Sequence, residues 1–315
     1  MWRHGPITTL KMQLKGDQSN VSVTVHVVEG ADRVALIDSG LVWGYEQLEE
    51  GLREAGIDKR RLALLLNTHE HMDHIGNNAR LVRETGCLVG AHPRYAAWIE
   101  DHELGARQMV LRFPDVEPVF DPKPEYLDWM EDEETTVNLH LTDGNVIDLG
   151  GGVQLEVIEL HGHSLSEIGF YERSSDTLIF GDSLMPTHVP VLFLYEDPYE
   201  VRATCKRITQ IARERDLRTV LSGHGDPCGP DEAIAWAADC ADRTRTIEEA
   251  VVEAVEGSPG ITLGPLRDAV TGRLGKLREW RALITIDGHL RDLERRGVIV
   301  VSGSGHAAAR ETALA

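Results

Sequence analysis

Residues 62–74 read Leu62-Ala63-Leu64-Leu65-Leu66-Asn67-Thr68-His69-Glu70-His71-Met72-Asp73-His74. The opening apolar run has the length of a buried strand. A strand end is a rigid support, and the loop after it can turn several side chains toward one point. Imidazole nitrogen and carboxylate oxygen are the ligands that Zn2+ and similar ions take at catalytic sites. His69, His71, Asp73 and His74 crowd such donors into six residues, and this stretch predicts a metal centre.

One loop cannot surround two cations, so further donors have to come from other strand ends. Val153–Leu160 reads as a strand and leads to His161-Gly162-His163-Ser164. Thr177–Phe180 leads to Gly181-Asp182-Ser183, and Thr219–Leu221 leads to Gly223-His224-Gly225. The glycines let backbone approach without a side chain in the way. His163, Asp182 and His224 thus join the first four as candidate ligands.

Further out, residues 21–28 alternate as a strand, Val34–Asp38 forms another, and Tyr45–Ala55 and Asn78–Thr85 read as helices stopped by Gly56 and Gly86. Cys87–Ala91, Asn145–Leu149 and Ile168–Glu172 are further short strands. Asp197-Pro198 opens a long helix to about Arg215, with Asp as N-cap and Pro in the first turn. The order of elements fits two packed sheets with helices outside, an α/β class. Residues 94–137 break the pattern with Trp98, Met109, Phe113, Tyr126, Trp129 and an acidic run at 131–134, and read as a lid-like insertion.

The 315 residues carry 32 Lys+Arg against 52 Asp+Glu, a net charge of −20, which disfavours broad contact with nucleic acid or anionic lipid. No apolar run approaches the ~20 residues of a membrane span, and Met1-Trp2-Arg3-His4-Gly5-Pro6 lacks the apolar core of a signal peptide. A cytoplasmic location is the expectation. The four cysteines show no Cys-x-x-Cys spacing and read as small buried hydrophobes, with Cys228 set apart by its nearness to His224.

The ordered set His69, His71, Asp73, His74, His163, Asp182 and His224, with Leu36-Ile37-Asp38-Ser39-Gly40, resembles the metallo-β-lactamase-fold superfamily over roughly residues 20–240. The resemblance implies an αββα sandwich with its site at the edge between the sheets. It implies that His69, His71 and His163 hold one metal, that Asp73, His74 and His224 hold a second, and that Asp182 bridges them. The cofactors are then two divalent ions, zinc ahead of iron or manganese. Asp73 would also orient the hydroxide that such a pair can produce near neutral pH. His161 stands where the family often has proline, and reads as a substituted turn residue. Glu70 reads as a neighbour of the metals or a solvent-facing group, not a ligand. No Gly-x-Ser-x-Gly elbow offers a serine nucleophile.

Residues 244–315 hold ten Lys+Arg and ten Asp+Glu, so residues 1–243 carry the whole negative charge. The pattern helix, helix, helix, strand over 244–302 resembles the small winged-helix domain that ends some members of the superfamily, and 303–315 read as a frayed tail. Arg291, Arg295 and Arg296 could meet phosphates, but Asp287, Asp292 and Glu294 interrupt them. Packing on the catalytic domain, or a homodimer contact, is the favoured role. A groove walled by lid aromatics and Pro190–Tyr195 would suit an acyl substrate. The expected activity is metal-dependent hydrolysis of an ester, thioester or lactone by a metal-bound hydroxide. The alternatives are a mononuclear iron persulfide dioxygenase, a metal-dependent endoribonuclease, and a ligand-binding protein with little turnover.

Overall fold

The computed structural model describes residues 1–13, 22–116, 135–186, 189–302 and 305–308. A seven-stranded sheet runs in sequence order through β1 (Trp2–His4), β2 (Ile7–Gln13), β3 (Ser22–Glu29), β4 (Val34–Ile37), β5 (Leu62–Leu66), β6 (Leu88–Ala91) and β7 (Val137–His140). Pairing is antiparallel as far as β4 and parallel from β4 to β7. Helices α1 (Tyr45–Ala55), α2 (Met72–Ile75) and α3 (Asn78–Thr85) supply the first crossovers, and α4 (Ala96–Glu100) and α5 (His102–Gln108) follow β6. The second sheet contains β8 (Val146–Gly150), β9 (Val153–Glu159), β10 (Ile168–Glu172), β11 (Thr177–Ile179) and β12 (Thr219–Leu221), ordered β12-β11-β10-β9-β8.

Alternating side chains sort the strands between layers. Ala35 and Ile37 of β4, Leu64 and Leu66 of β5, Leu155 and Val157 of β9, and Phe170 of β10 fill the space between the sheets. Val34, Leu36, Leu62 and Leu65 face Leu48 and Leu52 of α1. On the other outer face, Ile158, Leu178 and Val220 meet α6 (Pro198–Glu214) through Val201, Cys205 and Ile208. A period of two puts neighbouring residues on opposite faces, so continuous apolar runs serve two cores at once. The result is the αββα sandwich. The sequence reading passes over β1, β2 and β7; β1 and β2 form one margin of the first sheet and β7 the other. Paired threonines in β2 dilute its apolar signal, though Thr8 and Thr9 are buried.

Helix ends follow their local chemistry. Gly56 and Gly86 close α1 and α3 with φ of 75° and 72°, the left-handed conformation that glycine adopts without strain. The Asp197 carboxylate accepts from the amides of Tyr199 and Glu200 at the start of α6, with Pro198 in its first turn.

Past β12 the chain forms α7 (Pro230–Gly257), α8 (Leu263–Leu274), α9 (Arg281–Arg295) and an antiparallel hairpin of β13 (Ile299–Ser302) and β14 (Gly305–Ala308). The composition boundary at 243/244 lies inside α7, which runs through it unbroken. Part of the stretch expected to fray is β14, held to β13 and also bridged at His306 to Ile261. Leu266, Val270, Ala282, Ile286 and Leu290 share one core with α6 and the second sheet. A β-carbon at Gly288 would strike the Glu196 carbonyl, so α9 lies backbone to backbone against that segment.

Candidate metal centre

The loop after β5 is held before any cation is considered. Asp38, at φ 61°, turns its carboxylate to three donors: the Thr68 amide, the Thr68 hydroxyl and His74 Nδ1, each at 2.8 Å. The Ile168 amide donates to the Thr68 carbonyl at 2.9 Å and ties the loop to the second sheet. Asn77 donates to the carbonyls of Ser39 and Leu41, both at 2.7 Å, which seats the single turn α2 carrying Asp73 and His74.

All seven predicted ligands come together. His69, His71 and His163 offer ligand atoms within 4.8 Å of one another, and so do Asp73, His74 and His224. Asp182 lies between these groups: its Oδ2 is 3.5 Å from His163 Nε2, and its Oδ1 is 3.4 Å from His224 Nε2 and 3.6 Å from His74 Nε2. Asp73 Oδ2 stands 3.1 Å from His224 Nε2. His163 Nδ1 donates to the Leu194 carbonyl at 2.7 Å and His224 Nδ1 to the Ser22 carbonyl at 2.8 Å. Each bond turns Nε2 inward, as Asp38 does for His74; His163 Nε2 there lies 2.9 Å from His71 Nδ1.

His69 Nε2, His74 Nε2 and Asp182 Oδ1 are buried without a hydrogen-bond partner. Leaving such a group unsatisfied costs about 1–3 kcal/mol, and three aimed at one space fit a bound cation. The electrostatics agree. Burial, with histidine neighbours on every side, holds His69 and His71 well below the ordinary range, so their lone pairs stay free. On the other half burial again opposes charge, but the carboxylates of Asp73 and Asp38 outweigh it at His74, raised to about 10. Asp182 and Asp73 similarly raise His224 to about 9. That half is rich in negative charge, and without metal a proton answers it.

Two glycines give the site its room. A β-carbon at Gly223 would lie 2.5 Å from His74 Cε1, and one at Gly181 would lie 2.9 Å from His69 Nδ1. Two supporting carboxylates, Glu167 and Glu196, escaped the sequence reading. Glu167 is buried, pushed well above the usual range by that burial, and accepts from the Asp182 amide and the Ser183 hydroxyl, both at 2.7 Å. Glu196 accepts from the Tyr95 hydroxyl and the Leu165 amide. Glu70 is buried and accepts from the hydroxyls of Ser164 and Ser166, so it does not face solvent. Nothing in the local sequence around Glu167 or Glu196 marks them, because most of their partners come from loops elsewhere in the chain.

Trp98, Met109, Arg112, Leu194 and Glu196 close in around His71 and leave a gap too small for a water molecule. The Phe193 ring lies 5.2 Å from that of His163. Leu192 and Tyr195 instead belong to the core. Phe120, Tyr126, Trp129, Met130, the acidic run 131–134 and His188 lie outside the described residues. Cys228 is half-buried, its thiol pushed up to about 11 by burial, and it joins no ligand group among the described residues. Among those residues no helix is long and apolar enough to cross a membrane.

Residues 19–224 match the family model of the metallo-beta-lactamase superfamily. The chain is 24% identical over 241 residues to the acyl-coenzyme A thioesterase MBLAC2 of Gallus gallus, covering 70% of this chain and 79% of that protein. It is 26% identical over 177 residues to a hydroxyacylglutathione hydrolase of Polaromonas sp., covering 56% of this chain and 53% of the relative. Among solved structures, a metallo-beta-lactamase family protein from Thermus thermophilus superposes with a TM-score of 0.78 at 20% identity, over 96% of this chain and 98% of the other. A beta-lactamase domain protein from Burkholderia ambifaria gives a TM-score of 0.69 at 17% identity, over 96% and 91%. Fold, ligand-type side chains and family model agree, and the chain belongs to the metallo-beta-lactamase superfamily.

Proposed function

We propose that this chain is a metal-dependent hydrolase that cleaves thioesters. The observation that carries the reading is the buried, unpartnered set of His69 Nε2, His74 Nε2 and Asp182 Oδ1 inside a ring of seven ligand-type side chains. His69, His71 and His163 would hold one divalent ion and Asp73, His74 and His224 the other, with Asp182 shared. Nitrogen and carboxylate donors suit zinc first, and iron or manganese next. Such ions supply Lewis acidity and lower the pKa of a water toward about 7.

The chain's own groups do the rest. Asp73, its side chain 23% exposed where the other ligands are more enclosed, accepts a hydrogen bond from the attacking water and aims it. Water adds to the acyl carbon, the C–S bond breaks, and the water's proton passes to the departing thiolate. The thioester class rests on the acyl-coenzyme A and hydroxyacylglutathione relatives, since each substrate name denotes an acyl group on sulfur.

The C-terminal helices support a packing role. Arg291 pairs with Asp287 at 3.0 Å, Arg295 with Asp292 at 2.7 Å, and Arg296 with Glu248 at 2.7 Å. These are the arginines a nucleic-acid reading would need. Ile284 of α9 instead packs with Met109 and Leu194 into the core between the first sheet and α1.

Elemental analysis of protein purified without added metal, followed by a panel of acyl-coenzyme A thioesters, lactones and persulfides, tests the reading. Two metals at the buried centre, counted apart from any ion bound elsewhere on the chain, with thioester cleavage lost on chelation, are expected. A single iron with oxygen-dependent persulfide consumption would replace the hydrolase with the dioxygenase alternative.

A further inference from the structure

We propose that His92, Glu159 and His161 form a second, separate site for a divalent cation of the zinc class, clamping the two sheets together at their edge. His92 follows the last residue of β6 in the seven-stranded sheet. Glu159 ends β9 in the five-stranded sheet, and His161 lies two residues on. Their ligand atoms fall within 4.8 Å of one another.

The separations favour a shared ion over direct hydrogen bonds. His92 Nε2 stands 3.4 Å from Glu159 Oε1, and His161 Nε2 stands 3.5 Å from Glu159 Oε2. Both exceed a good N–H···O bond of about 2.7–3.2 Å. Ligands at about 2.0–2.1 Å from a tetrahedral ion lie roughly 3.3–3.4 Å apart, close to what is seen. Two imidazoles and one carboxylate are also a protein donor set that zinc uses when solvent completes its shell. Side-chain exposures of 11% for His92, 28% for Glu159 and 19% for His161 leave a path for the ion and for that solvent.

Two of the three donors, His161 and Glu159, are held in place. His161 Nδ1 donates to the Glu167 carbonyl at 3.1 Å, which fixes the tautomer with Nε2 free. Glu159 Oε1 accepts from the Asp143 amide, while Asp143 Oδ1 accepts from the Glu159 amide. His92 Nδ1 accepts from the Arg94 amide at 3.2 Å. Loading the ion therefore moves the His92 proton from Nε2 to Nδ1 and gives up the Arg94 bond. Gly162, at φ 140°, reverses the chain between His161 and His163 and packs where a β-carbon would meet the Val201 backbone at 2.6 Å. The two imidazoles thus serve different places, and the second site stands whether or not the first is hydrolytic.

The test is Zn2+ alone, titrated calorimetrically into the full chain and counted by elemental analysis. His92→Ala and the isosteric Glu159→Gln are each expected to bind one equivalent fewer than wild type with an unchanged circular dichroism spectrum. His140→Ala, an exposed histidine on neighbouring β7, is expected to keep the full count. His69→Ala is expected to lose metal from the buried centre and retain the outer equivalent. An unchanged count in Glu159→Gln, or an equal loss in His140→Ala, would overturn the proposal. Should His92→Ala not fold, Glu159→Gln decides alone.

Discussion

The Asp38 carboxylate holds His74 Nδ1 at 2.8 Å and, through the same oxygen, the Thr68 hydroxyl, so one side chain on the first sheet sets both ends of the donor loop. Removing its charge while keeping its shape should loosen His74 without erasing the fold. We expect Asp38→Asn to weaken metal binding about 10–100-fold. Competition against a chromophoric chelator measures this, and unchanged affinity would show that His74 is oriented by packing alone.

Asp73 is the ligand most open to solvent, and its proposed part is in both holding and aiming. Asp73→Ala should lower kcat for a thioester at least 10²-fold while the protein stays folded. Steady-state kinetics beside a thermal melt distinguish the two effects. A near-normal rate would remove Asp73 from the chemistry.

Space at the centre depends on missing side chains. Gly181→Ala would press a methyl into Thr68 Oγ1 and His69 Nδ1, and Gly223→Ala into His74 Cε1. Each should destabilise by about 1–3 kcal/mol, as overpacking of a tight site does. Each should also release metal more readily. Urea midpoints and metal content read both outcomes, and wild-type values in the two variants would mean that the loop yields freely.

Acid should act on the docked C-terminal helices. Burial lowers His289 to about 3, and its Nε2 lies 2.6 Å from the Tyr195 hydroxyl. The folded state keeps this ring neutral, while the unfolded chain protonates near pH 6.5. Between those values the unfolded state binds more protons, so stability is full above about 6.5 and declines as pH falls toward 3. Burial lowers His26 to about 4, and that ring adds a fall of the same sign. Denaturant midpoints of wild type and His289→Gln between pH 7 and 4 should diverge, with the variant showing the shallower slope. Parallel slopes would count against His289 as a source of the acid sensitivity.

Much of this was legible from residue order. α1, β5, α3, β10 and β12 lie where apolar periodicity and glycine stops put them, with matching ends, and β9 stops one residue short. The seven ligand-type side chains were legible because donors after apolar runs carry their meaning locally. β1 and β2 were not, since buried threonines in β2 hide behind a polar spelling. For α7, residue order reads as one or two helices over 231–256 and does not choose between them. A change in composition at 243 marks a change in surface charge, and backbone hydrogen bonding ignores it.

Residue order alone settled which atoms could bind a cation and that they would follow strand ends, because ligand chemistry and strand periodicity are properties of short stretches. Convergence was decided elsewhere. Asp38 meeting His74 across 36 residues, Glu167 under Asp182, Ser22 steering His224, and His92 facing Glu159 all join segments whose separation along the chain hides their contact. Only the packing of one sheet on the other brings those partners within reach, since hydrogen bonds and charge act over a few ångströms of space and take no account of distance along the backbone.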